Sequence, residues 1–227
     1  MLADLHLSLS PGDEVVTHLS ARPSHDWSRQ RAMDLVIGAG FLSCGKVIKK
    51  SSGFVLRLKR IRSLSDTVGP DMRVLMVGLN PSPYSADSGI GYGRPGNRFW
   101  PAALKAGLVS IDRDPRHALS HHGVGMTDLV RRTTARADEV ERAEFEAGFE
   151  RVQRLVTWLR PKVCCFIGLG GWRQVVDRKA VAGWQTNSVG GSAVYVMPHT
   201  SGLNARSRLE DLVEHLLAVS TMANAVD

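Results

Sequence analysis

Three stretches of the chain are apolar at nearly every position: RVLMV (73–77), KVCCFIGLG (162–170) and AVYVMP (193–198). Strands buried on both faces read this way. A shorter stretch, GVGMTDLV (123–130), holds a fourth strand. Between them the apolar period lengthens. NRFWPAALKAG (97–107) predicts a helix ended by Gly107. In ADEVERAEFEAGFERVQRLVTWLR (137–160), Phe145, Phe149, Val152, Val156 and Leu159 recur at steps of 4, 3, 4 and 3, the stripe of an amphipathic helix. RSRLEDLVEHLLAV closes the chain with Leu209, Leu212, Val213, Leu216 and Leu217 on one helical face. Strands alternating with helices predict an α/β protein: a three-layer α/β/α sandwich around a mostly parallel four-stranded sheet.

The first 65 residues follow a different pattern. Residues 1 to about 24 show no sustained period and read as a loosely attached arm. From Ser24, SHDWSRQRAMDLVIGAGF predicts a capped helix running into glycine. KVIKKSSGFVLRLKRIR (46–62) predicts a β-hairpin turning at Ser51-Ser52-Gly53. In its second strand Phe54, Leu56 and Leu58 alternate with Val55, Arg57 and Lys59. The boundary falls within SLSDTVGPDM (63–72), giving an N-terminal arm, helix and basic hairpin over 1–65 and a core over 66–227.

Composition narrows the class. Hydrophobic residues make up 43% of 227, enough for a core. No run approaches the roughly 20 apolar residues that cross a bilayer, and the N-terminus lacks a basic signal region, so no membrane partner and a cytoplasmic location are expected. Three cysteines are too few for a disulfide framework. Cys164 and Cys165, adjacent on a strand, face opposite sides and read as small core residues. His121 and His122 lack an acid or cysteine pair to complete a metal site and read as loop residues. The net charge is +7, and seven of the basic residues lie between 46 and 62 with no acid among them. That ribbon is either a solvated strand face or a phosphate-tracking surface on which Lys49, Arg57 and Lys59 are the candidate contacts.

Ligands of open α/β sheets sit beyond the C-terminal strand ends. Two loops there have unusual composition. GLNPSPYSADSGIGYGRPGNRFW (78–100) contains five glycines and three prolines. Gly78 permits close approach of a ligand, Asn80 offers a donor and an acceptor, and Tyr92, set between glycines, presents a ring on which a flat ligand can stack. HTSGLNAR (199–206) places Ser201 and Gly202 at an expected helix start, where free N–H groups bind phosphate, with Leu203 at the tip. Each feature also has a plain structural reading, as an Asn-Pro turn, loop packing or a helix cap.

Taken together these stretches resemble the uracil-DNA glycosylase superfamily, in its mismatch-specific branch, which includes thymine-DNA glycosylase. GLNPSPYSADSGIGYGRPGNRFW is similar to that branch's first motif, and GMTDLVRRTTARADEV (125–140), CFIGLG (165–170) and MPHTSGLNAR (197–206) follow in family order. The resemblance covers about residues 66 to 220. It implies an enzyme that flips a damaged or mismatched base from double-stranded DNA and hydrolyses its N-glycosidic bond, as a monomer, with no metal or cofactor. By the same resemblance Asn80 holds the attacking water. Gly78, Leu79, Ser82, Ser85, Tyr92 and Asn97 form the base pocket, with Tyr92 stacking on the base and Ser85 beside its C5 edge.

The resemblance also assigns Leu203 as a wedge in the duplex, flanked by Ser201 and Gly202, with Asn204 and Arg206 reaching the widowed base or phosphates. Two positions depart from the branch. His199 stands where relatives carry Asn and is expected to stabilise the leaving base anion. Asp87 stands where relatives carry a neutral residue and is expected to share the water-activating role with Asn80. Asp128 is expected to act behind the pocket rather than in it. A noncatalytic nucleic-acid-binding module of the same fold, or a hydrolase of free nucleosides, are the alternatives. A binder has no need of a pocket, and a small substrate needs neither the basic ribbon nor Leu203.

Overall fold

The computed structural model describes residues 2–20, 27–136 and 139–225. The N-terminal arm is more ordered than its sequence suggests: it carries α1 (Leu2–Ser8) and β1 (Glu14–Ser20). β1 turns Val15, Thr17 and Leu19 inward, an alternation of three positions, too short to stand out from the sequence. α2 (Arg29–Gly38) begins behind Ser28, whose Oγ accepts the Arg31 N–H at 3.1 Å; the expected start at Ser24 lies outside the described residues. Then come β2 (Phe41–Ser43), β3 (Ile48–Lys50) and β4 (Gly53–Arg60). β4 is the centre of an antiparallel sheet: β1 pairs with it from Glu14↔Lys59 to Ser20↔Gly53, and β2 and β3 pair with it as well. Leu56, Leu58, Phe41 and Val36 close a small apolar cluster of their own.

The basic ribbon does not form a single surface. Arg57 and Lys59 lie opposite Val16 and Glu14, whereas Lys49 lies opposite Phe54, whose side chain belongs to the other, buried face. Residues directly opposite across a ladder share a face, so the three candidate contacts divide between the two sides of the sheet.

The core begins with β5 (Val74–Gly78), followed by α3 (Pro83–Ser88), α4 (Phe99–Lys105), α5 (Pro115–His122) and β6 (Val124–Asp128). α6 (Arg142–Leu159), β7 (Val163–Ile167), α7 (Leu169–Val175), β8 (Gly183–Trp184), β9 (Ala193–Met197) and α8 (Leu209–Ala225) complete it. The sheet order is β6-β5-β7-β9-β8. Its first four strands are parallel, as the apolar runs predict, and the two-residue β8 adds an antiparallel fifth strand too short to register as a pattern. Cys165 packs with Met76, Trp100 and Leu216 toward α4 and α8, while Cys164 packs with Leu75, Phe145 and Trp172 toward α6 and α7. The two thiols therefore face opposite layers, and burial pushes the Cys164 thiol up to about 12. His121 and His122 end α5 rather than lying in a loop, and His122 Nε2 meets Ser110 Oγ at 2.8 Å.

A buried ionic cluster joins α2 to the core. Asp66 accepts from Arg131 Nη1 at 2.7 Å, Arg151 Nη1 at 2.8 Å and Thr127 Oγ1 at 2.7 Å. Its own N–H donates to the Gly38 carbonyl at 2.7 Å, which also accepts from Arg131 Nη2 at 2.9 Å. Arg154 of α6 grips Asp34 of α2 through two hydrogen bonds of 2.8 and 2.9 Å.

Candidate active site

A cavity of about 150 Å³ opens beyond the C-terminal ends of β5 and β6, far larger than one water requires. Its wall holds Leu79, Asn80, Ser82, Ser85, Tyr92 and Asn97. Gly78 is not in that wall. A Cβ on Gly78 would stand 2.1 Å from Asp128 Oδ1 and 3.0 Å from the Tyr92 hydroxyl, so the space its missing side chain leaves is taken by protein atoms rather than by a ligand.

Asn80 donates from Nδ2 to Thr134 Oγ1 at 2.7 Å and to the Arg132 carbonyl at 3.2 Å. With the nitrogen committed, Oδ1 is left as the acceptor end. Ser82 caps α3, its Oγ accepting the Ser85 N–H at 3.2 Å, and the two hydroxyls lie 3.3 Å apart. Asn97 Oδ1 accepts the Phe99 N–H at 2.9 Å at the start of α4, so it shapes the pocket by holding a helix end. Tyr92 is less open than flanking glycines suggest. Its ring lies 4.4 Å from that of Phe99, its hydroxyl is buried without a hydrogen-bond partner among the described residues, and its φ is +57°. A non-glycine residue held there is uncommon and is a mark of backbone strain. Burial, with the charge of Asp128, holds the Tyr92 phenol well above its ordinary range.

The loop after β9 is built around Arg98, which donates to the carbonyls of Ser201 at 3.0 Å, Asn204 at 2.8 Å and Ser207. Ser201 reaches the cavity wall. Gly202 is required for contact with the other loop, because a Cβ there would stand 2.8 Å from the Gly96 carbonyl oxygen. Leu203 projects at the tip, 83% exposed. Neither Ser201 nor Gly202 begins a helix: α8 starts at Leu209, behind a run of turns, so the expected phosphate site at a helix end is absent there. Asn204 is buried, its Nδ2 donating to the His199 carbonyl at 2.8 Å and to Ser207 Oγ at 3.1 Å, and its Oδ1 accepting the Arg206 N–H. The amide is spent on folding the loop and is not presented to DNA, whereas the Arg206 side chain is exposed.

The structure places both departures from the family pattern outside the cavity. Asp87 is exposed and bound by Arg62, whose Nε donates at 2.8 Å and Nη2 at 2.5 Å. That guanidinium also holds the carboxyl below its usual range. The partner stands on the segment leaving β4, and neither member of the pair is in the cavity wall that holds Asn80. His199 is exposed as well, its backbone carbonyl fixed by Asn204 and its imidazole outside the cavity wall. Partial burial, with Arg98 nearby, lowers its pKa.

Asp128, expected behind the pocket, lines it, together with Thr127 and Arg131. The signal available in sequence was only that Asp128 falls at the end of the fourth expected strand; the fold sets it directly opposite Gly78 of β5. Burial pushes its carboxyl up to about 6. Among the described residues, no group of three or more His, Cys, Asp and Glu side chains could hold a metal ion, and no helix is long and apolar enough to cross a membrane.

Residues 65–219 match the sequence model of a family described as the uracil DNA glycosylase superfamily. A solution NMR structure of a candidate uracil DNA glycosylase from Methanosarcina acetivorans is similar to the chain at 20% identity and a TM-score of 0.49, over 71% of this chain and 97% of that one.

Proposed function

The chain belongs to the uracil DNA glycosylase superfamily, and from that premise we propose that it is a monofunctional, mismatch-directed DNA glycosylase removing uracil from G:U pairs. The observation that carries this reading is one cavity at the ends of β5 and β6 with Asn80 and Tyr92 in its wall and the exposed Leu203 on the neighbouring loop.

Extruding a base costs a few kcal/mol, less at a mismatch. An apolar side chain entering the vacated stack offsets part of that cost, and Leu203 has the exposure to do so. Asn80 Oδ1 accepts a hydrogen bond from a water and holds it toward C1′. As the C1′–N1 bond breaks, its electron pair leaves with the base; the water oxygen bonds C1′ and its proton is transferred to the base. An amide is a weak base, so Asn80 positions the water more than it activates it, which suits a slow enzyme with a good leaving group. Arg57 and Lys59, on the exposed sheet face, supply charge for phosphates outside the pocket.

The test is incubation of excess protein with a G:U duplex, followed by alkali to cut abasic sites. Strand cleavage at the uracil position is expected. Salt-dependent binding with no abasic product would favour a noncatalytic binding module instead.

A further inference from the structure

The N-terminal sheet has one covered face and one open face. The inner face, with Phe41, Leu56 and Leu58, packs with residues of α1 and α2. The outer face carries Val16, Leu42 and Ile48, which are 61%, 52% and 51% exposed. Register sets them among cations: Val16 lies opposite Arg57, Leu42 opposite Lys59, and Ile48 opposite Val55. Residues directly opposite across a ladder are close neighbours on one face, so aliphatic and cationic side chains are interleaved here. A groove of about 460 Å³ crosses the face, and Val16, Gly45, Lys46, Ile48, Val55 and Arg57 are in its wall. Glu14 is the one acid on the four strands. No ion pair joins Lys46, Arg57 or Lys59 to any described residue. The strands run from Glu14 to Arg60 and lie wholly before the family match at 65–219, so the glycosylase core does not account for this face.

Aliphatic side chains exposed singly are ordinary, whereas a group of them rimmed by charge marks an interaction site. The pattern selects the partner. Duplex phosphates would use Arg57 and Lys59 and leave Val16, Leu42 and Ile48 in water. A second copy of the chain would set cation against cation. An anionic lipid surface is flat, and this face is grooved.

We propose that the outer face of the N-terminal sheet docks an extended acidic segment of another protein, one that presents carboxylates and aliphatic side chains in turn. An extended chain sends every second side chain to one face, so two acids followed by two aliphatic residues present that order. The carboxylates pair with Lys46, Arg57 and Lys59, and the aliphatic groups enter the groove beside Val16 and Ile48. Arg57 and Lys59 are also the charge offered to phosphates, so docking and DNA contact on this face exclude one another.

The full chain, labelled with nitrogen-15, is titrated with two synthetic peptides of equal charge. One repeats Asp-Asp-Leu-Leu and the other Asp-Asp-Ser-Ser. The Leu peptide is expected to shift the amides of Val16, Leu42, Ile48, Val55 and Arg57. It is expected to bind at least about tenfold more tightly than the Ser peptide, the scale of burying one aliphatic side chain. The double variant Val16→Ser, Ile48→Ser changes only exposed side chains; it is expected to keep wild-type cleavage of G:U and to bind the two peptides alike. Equal binding of both peptides by the wild type would overturn the proposal. If an undamaged duplex then shifts the same amides, the face contacts phosphate by charge alone. Phosphatidylglycerol vesicles that bind the wild type and not the double variant, with no shift from the Leu peptide, would overturn it in favour of a lipid surface. Absence of shifts with every probe would overturn it as well.

Discussion

Replacing Asp128 by Asn tests the electrostatics of the pocket without any substrate. The folded carboxyl has a pKa of about 6 against an ordinary value of 3.8, with burial the largest cause. A difference of roughly two units is worth about 3 kcal/mol at 1.36 kcal/mol per unit. The sign follows from which state holds the proton more tightly. Between pH 4 and 6 the folded carboxyl is protonated while the unfolded one is ionised, so raising the pH destabilises the fold. The penalty is absent below pH 4, grows through that window and is complete above pH 6. Asp128→Asn carries no such penalty, so its stability relative to wild type should rise by about 3 kcal/mol over the window. For a chain of this size that is a relative gain in Tm of roughly 6–12 °C. Thermal melts of both proteins at half-unit steps from pH 3.5 to 7.5 measure it. The variant's fixed offset, from any change in packing, cancels in the pH dependence. A Tm difference that stays constant would refute the reasoning. A difference of opposite sign would mean that Arg131 and Arg151 hold the carboxylate ionised despite its burial.

Other positions give sharper kinetic or structural outcomes. Asn80→Ala should lower single-turnover cleavage of G:U by roughly 10²–10³, the scale of losing one preorganised polar group, with near-native circular dichroism; a loss under threefold would remove Asn80 from the chemistry. Asp87→Ala and His199→Ala, both exposed and outside the cavity, should each stay within about threefold of wild type in the same assay, and a tenfold loss in either would show that its side chain reaches the reacting base in the DNA complex. Asp66→Ala strands the Arg131 and Arg151 side chains, only 9% and 4% exposed, and should cost about 3–5 kcal/mol in urea unfolding; a cost below 1 kcal/mol would mean that the cluster contributes little to joining α2 and the core.

The layers were legible because the core strands are apolar on both faces and α6 carries an unbroken stripe. These are local signals, repeated over enough residues to be unambiguous. What escaped reading was set by distance along the chain. Asp87 lies in a motif loop, but its partner Arg62 comes 25 residues earlier, from the end of the basic hairpin, and nothing local foretells that the two meet. Asn204 carries the groups a base reader needs, and only the folded loop reveals that the His199 carbonyl, Ser207 and the Arg206 N–H have already engaged them. α8 begins seven residues later than Gly202 suggests, because a residue that frees the backbone suits a close crossing of two loops as well as it suits a helix start.

Asp128 combines both difficulties, and its position explains why it matters. It follows Thr127 in a short strand whose alternation is obscured by Gly125, so sequence alone leaves its direction open. Pairing of β6 with β5 decides that direction by placing Asp128 against Gly78, the one neighbour with no side chain to exclude it. Asp128 therefore stands on a paired strand end, where packing fixes its direction, whereas Leu203 and Arg206 are exposed on a loop that Arg98 and Asn204 hold together. The same pairing accounts for Gly78 at the end of a strand otherwise built of bulky residues, since any side chain there would displace the Asp128 carboxyl.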